Sequence, residues 1–118
     1  MILTYDIPWY VILAVVILAW WLVRKLMAPK NSEIEEWKKR DPLILDVRTP
    51  DEFARGSVPG AINIPVQELE SNLPEEGRPI LCFCLSGGRS GTATSILKSK
   101  GYEVLNVGSF GNAKKHLG

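Results

Sequence analysis

The stretch Cys84-Leu85-Ser86-Gly87-Gly88-Arg89-Ser90 puts a thiol at the lip of a glycine-rich turn. Cysteine attacks as its thiolate, so the chemistry turns on what stabilises that anion. Glycine takes dihedrals closed to other residues, and a loop holding two of them can aim successive backbone N–H groups inward. A helix opening at Ser90 adds its own unsatisfied N–H groups and partial positive charge. Such a nest binds anions, and the nearest anion is the Cys84 thiolate itself. We therefore expect a lowered Cys84 pKa and a nucleophile activated without a histidine partner.

The remaining chemically capable residues add little to that loop. Arg89 belongs to it and is read as bringing positive charge to an anionic substrate or supporting the cradle; the alternative is a surface arginine paired with a carboxylate. Cys82 lies inside an apolar run and is read as a buried, inert thiol. In an extended strand its Cα stands near the upper limit for bridging Cys84, so two free thiols are expected. The single histidine, His116, falls far along the tail and is expected to be solvated, which leaves a Cys–His pair without support. No spacing suggests a metal site, no cofactor is implied, and a net charge of +1 gives no bulk attraction to nucleic acid.

What must position the loop is legible as alternating strands and helices. "PLILDV" (42–47) is a compact strand, and Thr49-Pro50-Asp51-Glu52 starts a helix that should stop at Gly56. "AINIP" (61–65) is a second strand, after which Val66, Leu69 and Leu73 share a helical face. "PILCFC" (79–84) is a third strand, apolar enough to be covered on both faces. Ala93, Ile96 and Leu97 line a helix ending at Gly101, "YEVLNV" (102–107) is a fourth strand, and "AKKHLG" (113–118) a last short helix. This alternation implies an α/β fold, a parallel sheet flanked by helices. Ligands of such sheets gather beyond the C-terminal ends of the strands, where Cys84 stands.

The N-terminal part is of another kind. "IPWYVILAVVILAWWLV" (7–23) runs 17 residues without a charge, with Trp9 and Tyr10 near one end and Trp20 and Trp21 near the other. As a helix it spans roughly 25 Å, close to a hydrocarbon core, with aromatic rings at both interfaces. A core helix so uniformly apolar does not suit so small a chain, and a signal peptide should begin with basic residues. A single transmembrane anchor over residues 1–28 is expected. Every Lys and Arg lies C-terminal to it, which places the short N-terminus outside and the rest in the cytoplasm, at the cell membrane. Residues 29–41 then form a linker, containing "APKNS", and a short helix capped by Ser32 with Glu35; residues 42–118 form the domain.

"LILDVRTPDEFARGSVPGAINIP" (43–65), "CLSGGRS" (84–90) and "LKSKGYEVLNVGSF" (97–110) together resemble the single-domain rhodaneses, sulfurtransferases of α/β fold. The resemblance implies that Cys84 takes a sulfane sulfur from thiosulfate or a persulfide donor and passes it to cyanide, a thiol or an acceptor protein. It implies that the N–H groups of Leu85, Ser86, Gly87, Gly88, Arg89 and Ser90 cradle the persulfide. Asp46, Arg48 and Glu52 read as scaffold, with Arg48 able to meet Glu52 four residues on. Ser57 stands where the family often has histidine, and Ser109-Phe110 where it commonly has glycine and tryptophan. Cysteine phosphatases place five residues between Cys and Arg; here there are four, a tighter ring suited to one sulfur atom. The expectation is therefore a membrane-anchored sulfurtransferase. The alternatives are a non-turnover sulfur-carrier or sensing module for a membrane partner and, less favoured, a phosphatase or arsenate reductase.

Overall fold

A computed structural model describes residues 6–27 and 31–118. The outermost part of the expected anchor and the first residues of "APKNS" lie outside the described residues. The first helix, α1 (Trp9–Met27), is long and apolar enough to cross a membrane. It is exposed along its length, so it is not a core helix.

The domain is a four-stranded parallel sheet in the order β2-β1-β3-β4. Its strands are β1 (Leu43–Asp46), β2 (Ile62–Asn63), β3 (Ile80–Cys84) and β4 (Val104–Ser109). β3 is central and all five of its residues are buried, as its unbroken apolar sequence requires. Alternation along it divides the core. Ile80, Cys82 and Cys84 join Leu45, Val47 and Leu69 beneath α4 (Gly88–Ser99), through Ala93 and Leu97. Leu81 and Phe83, with Val107 of β4, face the opposite layer, α2 (Asn31–Lys38) and α5 (Phe110–Leu117), through Ile34 and Ala113.

Between β1 and β2 the chain makes α3 (Pro50–Ala54) with the full capping box. Glu52 N–H donates to Thr49 Oγ1 at 3.2 Å and Thr49 N–H to Glu52 Oε1 at 3.0 Å. The Ser32 box does not form: Asn31 and Ser32 are already helical, and Glu35 turns to Lys38 and His116. β4 starts two residues later than expected and runs on to Ser109, whose Oγ accepts from Asn112 N–H and opens α5 directly.

After β2 a single 3-10 turn, Val66–Glu68, replaces the expected helical face. Leu69 is fully buried while Leu73 is 42% exposed. The two leucines predict a sharp contrast. Leu69→Ala should cost about 2–5 kcal/mol in a urea titration, against within about 0.5 kcal/mol for Leu73→Ala. Similar losses for both would show that the turn does not cover the core.

Candidate active site

Cys84 ends β3 and Gly88 begins α4, so the strand-to-helix loop is only Leu85-Ser86-Gly87. Gly87 caps the helix with φ 106°, a conformation that favours glycine and lets its N–H turn back toward the sulfur. That N–H donates to Cys84 Sγ at 3.0 Å. The helix therefore opens two residues earlier than Ser90, and Ser90 lies fully buried within its first turn.

The loop is fastened to the end of β4. Phe110 N–H donates to Leu85 O at 3.2 Å, and Ser86 bridges to Ser109. Ser90 Oγ lies 3.1 Å from Gly87 O and 3.3 Å from Gly108 O. Cys84 itself is fully buried beneath the loop, whereas Leu85 at its tip is 54% exposed.

Burial alone would push the Cys84 thiol up. Hydrogen bonds from the Ser90 hydroxyl and from the N–H groups of Ser90, Gly87 and Ser86 outweigh it and hold the pKa below the ordinary value. The Ser90 hydroxyl has one proton. It can serve a carbonyl while the thiol is neutral and swing to the sulfur once the thiolate forms. For Cys82, two residues back, burial dominates and pushes the thiol far up, against which a single hydrogen bond with Thr94 counts for little, as expected of an inert cysteine.

These donors set a pH profile. A lowered folded pKa means that the thiolate persists below the pH at which an ordinary cysteine protonates. The alkylation rate of Cys84 should therefore rise with pH along a curve whose midpoint lies below that of a free thiol. Ser90→Ala should move the midpoint upward by removing the hydroxyl donor. A wild-type midpoint at or above that of free cysteine would overturn this account of the loop.

Arg89 is held by a carboxylate outside the loop, while its charge still interacts with the Cys84 sulfur. Its Nη1 and Nη2 meet Glu52 Oε1 and Oε2 at 2.6 and 3.1 Å. The Arg89 hydrogen bonds, helped by Thr49, lower the Glu52 pKa to about 2, so the pair stays ionised at neutral pH. The carboxylate pairing weighed for Arg89 is present, and it takes the place of the expected Arg48–Glu52 pairing. Arg48 lies outside α3 and turns inward, with Nη2 2.7 Å from Asp46 Oδ2 and 2.7 Å from Gly56 O. Both members of this pair are buried. Ser57 Oγ donates to the same Asp46 Oδ2 at 2.8 Å, so Ser57 completes the pair.

Phe110, at the position where the resemblance suggested tryptophan, lies 4.1 Å beneath the Arg48 guanidinium and stacks on Phe83. His116 also departs from expectation. Its side chain is only 8% exposed, with Nδ1 3.1 Å from Glu35 Oε1.

A parallel sheet whose central strand ends in a cysteine, with the Gly87 amide on its sulfur and a helix opening directly behind, defines the class of this α/β domain. The model of the Rhodanese-like domain matches residues 30–112, and the chain belongs to that family. A sulfurtransferase of Allochromatium vinosum is 37% identical over 70 residues, covering 57% of this chain and 65% of the relative. Thiosulfate sulfurtransferase PspE of Escherichia coli is 36% identical over 69 residues, covering 54% and 66%. The chain thus spans just under two thirds of the length of these relatives. Among solved structures, a rhodanese with anions from E. coli aligns with a TM-score of 0.53 and 32% identity, over 60% of this chain and 89% of that one.

Proposed function

We propose that the protein is a membrane-anchored sulfurtransferase in which Cys84 carries sulfane sulfur as a persulfide. The observation that carries this reading is Gly87 N–H set 3.0 Å from Cys84 Sγ in a three-residue loop entering α4. In the first half-reaction the Cys84 thiolate attacks the outer sulfur of thiosulfate. The S–S bond of the donor breaks, its electron pair leaves with sulfite, and a new S–S bond joins Cys84 to the transferred sulfur. In the second, cyanide or a thiol attacks that outer sulfur and the electron pair returns to Cys84 Sγ. Thiosulfate is the donor proposed for this chain, by similarity to the thiosulfate sulfurtransferase relative.

The N–H groups of Leu85 to Ser90 hold the terminal sulfur anion, and the Arg89–Glu52 pair fixes the start of α4 from outside. Four residues between Cys84 and Arg89, against five in cysteine phosphatases, make a tighter ring suited to one sulfur atom on the cysteine, which favours sulfur transfer over phosphate chemistry. Residues 1–28 act as the anchor and 42–118 as the domain, with the domain on the cytoplasmic side. The apolar exposed surface of α1 and its basic last turn, Arg24 and Lys25, support this placement.

The test is thiosulfate loading of the intact chain in detergent or vesicles. The mass should rise by one sulfur atom per chain, and cyanide should remove it with ping-pong kinetics. Sulfur accepted but never released to any acceptor would point to a carrier module. Hydrolysis of an aryl phosphate at a comparable rate would replace sulfur transfer with phosphatase chemistry.

A further inference from the structure

The direction in which α2 crosses the sheet fixes where the anchor joins the domain. Asn31, at its start, lines an open cleft of about 600 Å³ together with Ser86, Gly88 and Asn112. These residues lie at the C-terminal edge of the sheet, in the Cys84 loop and the first turn of α5. At the other end of α2, Glu35 meets His116 in the last turn of α5. Arg40, just beyond α2, grips Glu103 at 2.7 Å, ahead of β4. Glu103 O in turn accepts from Ile80 N–H at the start of β3. α2 therefore runs from the catalytic edge of the sheet to the opposite edge, antiparallel to the strands.

Only residues 28–30 separate α1 from α2. Four peptide steps reach at most about 14 Å. The anchor is tied to the Cys84 edge and not to the far one. Val23 and Arg24 of α1 line the same cleft as Ser86 and Gly88. Arg24 and Lys25 also cover the faces of Trp20 and Trp21, at 4.9 and 5.1 Å, the grouping expected at lipid headgroups.

From this juxtaposition we infer that the Cys84 loop faces the bilayer surface, and that its sulfur acceptor is a thiol on a protein embedded in the same membrane. The inference rests on the anchored-sulfurtransferase reading above and adds the partner class to it. A partner confined to the same surface meets the loop at a raised effective concentration. The exposed side chain of Leu85 at the loop tip offers that partner an apolar contact beside the sulfur. In the transfer, the partner's thiolate attacks the outer persulfide sulfur. The Cys84 S–S bond breaks with its electron pair on Sγ, and the partner becomes the persulfide, with no net oxidation.

The experiment uses the full chain in phosphatidylcholine–phosphatidylglycerol vesicles doped with a phospholipid carrying an iodoacetyl group on its headgroup. Flotation with the vesicles reports the anchor independently. Mass analysis, with Cys84→Ser as the control for label position, reports whether the lipid reagent reaches Cys84. A second chain carries a helical spacer of about 20 residues, roughly 30 Å, inserted at Lys30.

The lipid reagent should label Cys84 in the original chain and at least tenfold more slowly in the spacer chain, with free iodoacetamide labelling both equally. In the parallel transfer arm, a thiol-headgroup lipid should discharge the loaded persulfide of the original chain only, and a soluble thiol should discharge both. Equal lipid labelling with and without the spacer, or no lipid labelling of a chain that floats, overturns the inference and leaves the anchor standing. A chain that does not float overturns the anchor and this inference together. Lipid labelling without any thiosulfate loading supports the geometry but overturns transfer to a membrane thiol.

Discussion

Cys84→Ser is expected to lower sulfur transfer from thiosulfate by about 10³-fold or more and to abolish the mass gain on loading. Serine is nearly isosteric and keeps a polar atom beside Gly87 N–H, so the loop has no reason to rearrange. What it loses is the anion: an alcohol is far harder to deprotonate than a thiol, and the amide ring that lowers the Cys84 pKa cannot bridge that gap. The companion variant Cys82→Ser should behave in the opposite way. It buries a hydroxyl within the apolar strand and costs about 1–3 kcal/mol of stability, yet the folded fraction should still load sulfur. Intact-mass analysis and urea titration of both variants separate the outcomes. A Cys84→Ser protein that still loads sulfur would move the chemistry elsewhere and end the proposed function.

The Cys84 loop and its supporting strands were legible because their cues are local. An unbroken apolar run makes a central strand, and Thr-Pro-Asp-Glu makes a capped helix. Each follows from a few neighbouring residues, and β3 and α3 are where those cues put them. The misread residues share a different feature: their partners are distant in sequence, or their element begins earlier than its most obvious signal. Spacing suggested Arg48 for Glu52, but the four-residue rule holds only within one helix, and Arg48 precedes the cap of α3. The partner of Glu52 is Arg89, 37 residues on.

His116 was misjudged for the second reason. A tail helix starting at Ala113 hides the stripe made by Phe110, Ala113 and Leu117, with His116 three residues after Ala113. Once Ser109 caps the helix, the stripe turns His116 toward α2. Leu73 failed by length: the chain after β2 makes one 3-10 turn, too short to return to the same face. Ser57, noted only as a departure from histidine, donates across 11 residues to a carboxylate that the sequence alone left unpartnered.

That carboxylate carries the second large effect. Asp46→Ala should destabilise the domain by about 3–5 kcal/mol, because it strands the Arg48 guanidinium in a buried site. Asp46 is fully buried and accepts from the Arg48 backbone N–H at 3.0 Å, the Arg48 side chain and the Ser57 hydroxyl. After its removal Arg48 keeps Gly56 O and the faces of Phe110 and Phe83, none of which carries compensating charge. Since a domain of this size is held by only about 5–15 kcal/mol, the variant should be marginal at 37 °C. Ser57→Ala removes one donor and leaves the ion pair, so about 1–2 kcal/mol is expected. A double-mutant cycle on Asp46 and Arg48 should give a coupling of about 2 kcal/mol or more, since the second truncation removes the charge that the first left unpaired. The consequence reaches the sulfur site through Phe110, which lies under Arg48 and whose N–H holds Leu85 O at 3.2 Å. The Asp46 variant, measured where it is still folded, should therefore also show faster Cys84 alkylation as the loop loosens. Additive single effects with unchanged alkylation would mean that the pair acts as a surface ion pair does and has no hold on the loop.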